Sequence, residues 1–230
     1  MATTEVDIVN LALSHLGHTD FITAVGGGTV AELTGASTSK KEALAQQFYE
    51  IDRKAVLKEQ SWRFARVYAL LVEVDNGDGE VWRDEWDRAF TIPDDCLYVR
   101  QLLPNDELVN PAAYGIRQDR FPAGTWRYAI RVHAGVKVLM ANVSATDARL
   151  EYTENVTSVA RMADEPHFLE ALTRRLAWHM APAISTDRGL PNVLLGEYKL
   201  ALAEAKLLDI NQDNPPSSSR RVSKYIHARY

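Results

Sequence analysis

A single cysteine, Cys96, in 230 residues excludes an internal disulfide and removes the usual mark of an oxidising compartment. The two glycosylation sequons, Asn142–Val143–Ser144 and Asn155–Val156–Thr157, therefore carry little meaning. No run approaches the roughly 18 apolar residues that a membrane-spanning helix needs. The opening MATTEVDIVNLALSHLG lacks the basic start, long apolar stretch and cleavage site of a secretion signal. The expectation is a product of the cytoplasm, or one assembled there, with no membrane partner.

Metal-binding patterns are missing as well. His15 and His18, His133, His167, His179 and His227 fall on different predicted elements, and none forms the His-Glu-x-x-His pattern. There is no Gly-x-Ser-x-Gly elbow, and Cys96 has no adjacent histidine to activate it. The triplet Gly26–Gly28 lacks the Lys-Ser/Thr that would make a phosphate-binding loop and reads as a surface loop. The acids of DNGDG (75–79) have the wrong spacing for a calcium loop. No catalytic, cofactor or metal residues are expected.

A broad basic face is the third absence. The net charge is −5, and the last stretch concentrates Arg220, Arg221, Lys224 and Arg229 with no acid after Asp213. Setting those four cations aside leaves the remainder near −9. An acidic body with a small basic tail argues against a nucleic-acid-binding domain and suits a tail that meets an acidic protein surface or stays in solvent. The rest is ordinary: 46% hydrophobic and 25% charged residues describe a globular chain of one or two domains, long enough to bury a core.

What is there is organised around EALAQQFYEIDRKAVLKEQSWRFAR (42–66). Leu44, Phe48, Ile51 and Ala55 recur at spacings of four, three and four, which predicts one apolar stripe along a helix. Lys41, Glu42, Gln46, Glu50, Asp52, Lys58 and Glu59 fill much of the remaining surface, so the helix is amphipathic. The stripe runs into Trp62 and Phe64, whose rings must bury their area. Before it, Thr4 is placed to cap a helix with Asp7 in its first turn. Val6, Val9, Leu13 and Leu16 share a face there, with Ile8, Ala12 and His15 beside it, and Gly17 ends the helix. Residues 18–38 read as a Gly- and Thr-rich loop, after which Ser37, Thr38 or Ser39 caps the central helix.

After Trp62 the period changes. VYALLVEV (67–74), a turn at DNGDG, and VWRDEWDRAFTI read as a hairpin. IPDDCLYVRQLLP (92–104) is a turn leading into another strand, and residues 126–156 supply three more. The middle is thus expected to be an antiparallel β unit of five to seven strands over 67–159. Helical period returns at Asp164–Glu165–Pro166, a helix start, with Phe168, Leu172, Leu176 and His179 on one face and Leu169 and Ala183 alongside. Leu194, Tyr198, Ala201, Ala205 and Leu208 follow on a second helix, making a helical hairpin. His179 is expected as a packed core histidine. Residues 213–230 read as an extended linker and docking tail, with Tyr225, Ile226 and Tyr230 past two prolines and three serines. The predicted class is α+β: a helical bundle scaffold from 1–66 plus 160–212, an inserted antiparallel β domain, and an extended C-terminal tail.

Several stretches in this order carry a family likeness. They are IVNLALSHLG (8–17), the row Ala45, Tyr49, Arg53 and Leu57 with SWRFA (61–65), and Phe90, Ile92, Pro93 and Asp95–Cys96–Leu97. The last group matches an aromatic–x–(I/L)–P–x–D–C–L signature. LAWHMAPAI (176–184) and YKLALAEAKLLD (198–209) match a helical hairpin. Over nearly its whole length the sequence resembles the tail tubular protein A family, the head-to-tail adaptors of short-tailed and related bacteriophages. The resemblance implies a structural virion protein at the head–tail joint, assembled in the host bacterial cytoplasm, without enzymatic activity or cofactor. It implies a ring, generally of twelve subunits, bound beneath the portal protein, carrying the tail nozzle or tail tube below and letting double-stranded DNA pass. Trp62, Phe64, Phe90, Pro93, Asp95, Cys96 and Leu97 would be structural motif residues. Arg220, Arg221, Lys224, Tyr225, Ile226, Arg229 and Tyr230 would belong to the tail that climbs onto the portal. An acidic body also suits a channel through which phosphates must slide without sticking.

Two other classes remain open on the residues. A glycan hydrolase would act through Asp84, Glu85 or Asp95, although the neighbours Asp84 and Glu85 would point to opposite faces of a strand. A cellular interaction module would use the same tail with no phage partner. Acid-to-amide substitution separates the first from an adaptor, and ring formation with a portal separates the second.

Overall fold

The computed structural model describes residues 4–19, 21–23, 40–74, 85–104, 127–133, 135–146 and 148–213. Those residues form a mixed α+β fold with antiparallel sheets. The chain divides into two compact units, one of Met1–Tyr49 with Ala163–Tyr230 and one of Glu50–Met162. The expected tail, with Arg220, Arg221, Lys224, Tyr225, Ile226, Arg229 and Tyr230, lies outside the described residues, as do the Gly26–Gly28 loop and the DNGDG turn.

In the first unit, helix α1 (Glu5–His15) starts at Thr4 with a reciprocal cap. The Asp7 amide donates to Thr4 Oγ1 at 3.2 Å, and the Thr4 amide donates to Asp7 Oδ2 at 2.8 Å. Two orphan donors of the first turn are satisfied at once, and hydrogen bonds from the Thr4 amide and hydroxyl hold the Asp7 carboxyl below its ordinary pKa. The helix stops before Gly17, whose φ of 75° suits a residue without Cβ. Beyond it, the Asn10 side chain clamps Ile22 through both its amide and its carbonyl, at 2.9 and 3.1 Å. Of the expected face, Val9, Leu13 and Leu16 are buried and Val6 is half-buried, while Ile8 and Ala12 beside it are buried as well.

Helix α2 (Lys40–Glu59) holds a correction. The predicted stripe of Leu44, Phe48, Ile51 and Ala55 is not the buried one: three members are half-buried and Ile51 is 58% exposed. The face that disappears from solvent is turned one residue on. It carries Ala45, Tyr49, Asp52, Arg53, Val56 and Leu57, all buried. Two ionisable side chains on that face disguise it from an apolar count.

In the second unit a short 3₁₀ turn (Arg63–Ala65) leads into seven described strands: β1 (Arg66–Leu70), β2 (Val72–Glu73), β3 (Arg88–Thr91), β4 (Cys96–Pro104), β5 (Tyr128–His133), β6 (Val136–Ala141) and β7 (Ala148–Glu154). They form two antiparallel sheets, ordered β1-β7-β4 and β2-β3-β6-β5. The stretch 67–74, expected as one strand, is broken at Leu71. That buried side chain enters the core while the chain passes from one sheet to the other. One core serves both sheets, with Phe90, Leu139 and Ala141 from one meeting Val99, Leu102, Ala148, Leu150 and Tyr152 from the other. On β7 the alternation Ala148–Leu150–Tyr152 supplies that face, as the two-residue period of a strand requires.

The chain then enters α3 (Val159–Ala163) and the helical hairpin of the first unit, α4 (Pro166–Ile184) and α5 (Leu190–Asp213). Pro166 opens α4, where its missing N–H costs nothing. Phe168, Leu172, Leu176 and Met180 bury one face of α4, and Leu194, Tyr198, Ala201, Leu202 and Ala205 bury one face of α5. His179 is half-buried and stacked, 4.2 Å from the Trp178 ring and 5.5 Å from Phe48. Arg174 braces the hairpin through Glu170 at 2.9 Å and Glu197 at 2.8 Å. Arg175 donates to the Tyr198 hydroxyl at 2.9 Å and lies over its ring. Among the described residues no helix is long and apolar enough to cross a membrane.

Candidate functional site

The motif residues singled out in the sequence gather in the second unit, at the start of β4 and the end of α2. Pro93 begins a turn whose carbonyl accepts the Cys96 amide at 2.9 Å. The Asp95 backbone carbonyl accepts from the Asn155 amide at 2.7 Å, and its carboxylate accepts the Tyr152 hydroxyl, at 3.0 Å to Oδ1 and 3.2 Å to Oδ2. Asp95 thus ties the β3–β4 turn to strand β7 and to the residue that follows it. Burial, reinforced by the Asp95 hydrogen bond and charge, pushes the Tyr152 hydroxyl far above its ordinary pKa. Burial first, then the same charge, raises the Cys96 thiol to about 11. A thiol so raised stays protonated near neutrality and is a poor nucleophile. Leu97 is half-buried beside a register shift of β4, and Phe90 lies fully buried in the core.

Trp62 and Phe64 belong to the other end of this unit. Trp62 is buried and its indole N–H donates to the Val56 carbonyl at 2.8 Å, which satisfies the polar handle of a ring placed for its area. Phe64 is half-buried, with its ring centroid 6.5 Å from that of Trp62. The Phe64 carbonyl accepts from Arg161 Nη2 at 2.6 Å, while Arg161 Nη1 holds both oxygens of Glu154 at 2.9 and 2.8 Å.

Three groups join these two ends: Arg53, which stands in the family row, and Arg100 and Glu151, which sequence reasoning passed over. Arg100 stands where the register of β4 against β7 shifts, an irregularity that re-aims a side chain. Its Nε donates to Thr153 Oγ1 at 2.7 Å, and Nη2 donates to the carbonyls of Leu57 at 3.2 Å, of Lys58 at 3.0 Å, and of Gln60. A cation on the last carbonyls of α2 satisfies orphan acceptors and opposes the negative end of the helix dipole. Buried Arg53 reaches from α2 to the chain after β7, donating to Asn155 Oδ1 at 3.0 Å and to the Val156 carbonyl. Buried Glu151 accepts from Gln101 Nε2 at 2.6 Å and lies 3.6 Å from Arg66 Nε. The signal was present: Arg100 and Gln101 are adjacent polar residues inside an otherwise apolar strand, where alternation allows one.

Of the residues weighed for glycan chemistry, Glu85 is exposed, Asp95 is engaged by Tyr152, and Asp84 lies outside the described residues. Among the described residues no group of three or more His, Cys, Asp or Glu is placed to hold a metal ion. A different feature stands on the surface of α5, where Val193, Leu200, Leu207 and Ile210 are exposed along one side of the helix. No protein-family model matches the chain, and no curated protein matches it at a significant level.

Proposed function

We propose that this chain is a structural, non-enzymatic head-to-tail adaptor similar to the tail tubular protein A family. In this reading the helices of 1–66 and 160–212 make a bundle scaffold that closes a ring, generally of twelve copies, below the portal protein. The antiparallel β insertion of 67–159 interrupts that scaffold in sequence, the tail of 213–230 docks on the portal, and the tail nozzle or tube attaches below. Double-stranded DNA passes through a lumen kept acidic, and the protein resides in the virion.

The observation that carries the reading is where the motif residues spend their interactions. The row Ala45, Tyr49, Arg53 and Leu57 is the buried row of α2. Asp95 serves the Tyr152 hydroxyl and the Asn155 amide, and Trp62 closes on Val56. Residues that carry the family likeness are thus used to build a scaffold, and an adaptor is selected for scaffold. The engagement of Asp95 and the raised thiol of Cys96 weigh against giving either a catalytic part.

The test is deletion of residues 214–230. The truncated chain is expected to keep its circular dichroism and melting profile and to lose binding to a portal ring in co-sedimentation. Binding that survives the deletion would remove the docking role of the tail.

A further inference from the structure

Helix α5 has two apolar faces, and the fold uses one. Opposite the buried face run Val193, Gly196, Leu200, Ala203, Leu207 and Ile210, all exposed, at spacings of three, four, three, four and three. This is the a/d repeat of a helix that packs on another helix, with Leu200 74% and Leu207 64% exposed. The glycine in the stripe has no explanation among the described residues, because a Cβ built on Gly196 meets none of their atoms within 4 Å. Glycine inside a helix is unfavourable relative to alanine, and its use at a packing position is the close approach of another backbone.

Charges beside the stripe say what covers it. With Val193, Leu200 and Leu207 at a, the e positions are Glu197 and Glu204 and the g positions are Lys199 and Lys206. Residues at e and g set partner and orientation in paired helices. An antiparallel second copy would set lysine against lysine on one flank and glutamate against glutamate on the other. In a parallel second copy, each g position meets the e position of the following heptad, so exposed Lys199 faces exposed Glu204 on both flanks. The pattern thus attracts one alignment and repels the other.

We infer that α5 pairs in parallel with α5 of a second copy of this chain, through the Val193–Ile210 stripe and reciprocal Lys199–Glu204 ion pairs. Identical contacts on both flanks relate the two copies by a two-fold axis along the helices, an isologous contact that closes at two copies. The pairing is argued from the helix alone, and the ring of the adaptor reading above would need a separate contact. The stripe spans only two and a half heptads, so the association is expected to be weak and concentration-dependent in the free protein.

Sedimentation velocity of the full chain over a concentration series tests this, using the wild type, Lys199→Glu, Glu204→Lys and the double reversal. The wild type is expected to self-associate. Each single reversal should weaken association by roughly tenfold, because attractive pairs become like-charge pairs, and the double reversal should restore it. Leu200→Asp, at a side chain the fold leaves in water, should abolish association with an unchanged far-ultraviolet spectrum. A wild type that stays monomeric throughout, or single reversals without effect, would overturn the inference. Strengthening by Lys199→Glu alone would do so too, since it marks the antiparallel arrangement. Portal binding by the same variants separates the two ideas. Binding without charge-dependent self-association would remove the α5 pairing and leave the adaptor. Charge-dependent self-association without portal binding would do the reverse.

Discussion

Arg100 joins the end of α2 to strand β7. Its guanidinium answers the last carbonyls of α2 and a threonine hydroxyl of β7, so its removal strands acceptors and leaves a helix terminus uncompensated. Arg100→Met keeps much of the aliphatic bulk and is expected to lower unfolding stability by about 2 kcal/mol, the scale of charge-assisted bonds lost from a half-buried site; urea titration measures it. Cys96 gives a second handle. With its thiol raised to about 11 by burial and the Asp95 charge, alkylation by iodoacetamide at pH 8 should run at least tenfold slower than for an unperturbed thiol. The rate should become ordinary in denaturant. His15 supplies the pH dependence. Burial, with the Arg174 charge next, depresses its pKa below the ordinary 6.5. The folded state therefore binds fewer protons than the unfolded state near and below pH 6.5, and stability falls as pH drops through that range. Comparing urea midpoints at pH 7.5 and 5.5, the wild type should lose more stability than His15→Gln.

At the scale of elements, α2 separates what can be read in a sequence from what cannot. Its existence, length and amphipathic character follow from spacing, but the buried face does not. Two apolar stripes lie side by side on this helix, and the truly buried one contains Asp52 and Arg53, charges that a pattern of greasy residues rejects. Arg53 is admitted because Asn155 and the Val156 carbonyl receive it, partners about a hundred residues away in sequence. The consequence is measurable: Ile51→Gln should change stability by less than about 0.5 kcal/mol, while Leu57→Ala, at a fully buried position, should cost about 2–4 kcal/mol. Strands were legible in kind, since β5, β6 and β7 fall where alternation and turns place them. The break at Leu71 was not, because a run of β-branched residues looks the same whether it stays in one sheet or crosses to another. The hairpin of α4 and α5 was legible on its buried side. On the other side, Gly196→Ala should stabilise the isolated fold by about 1 kcal/mol, since no described residue occupies that space, and thermal melting at low concentration would show it.

At the scale of the molecule, residues 214–230 carry four cations and three large apolar or aromatic side chains. A net charge of −5 overall, and about −9 without that segment, gives the body a sign that repels phosphate and the tail a sign that seeks acid. Such a division suits a part that must hold two protein assemblies together while DNA moves past it. The central claim is that this chain assembles with a portal. Its most direct test is the mass of the complex formed when purified full-length protein is mixed with its cognate portal ring, read by mass photometry. The account predicts a single new species, the portal plus about twelve copies of this chain, that fails to form when residues 214–230 are removed. A mixture that retains only the separate masses of portal ring and free protein would contradict it.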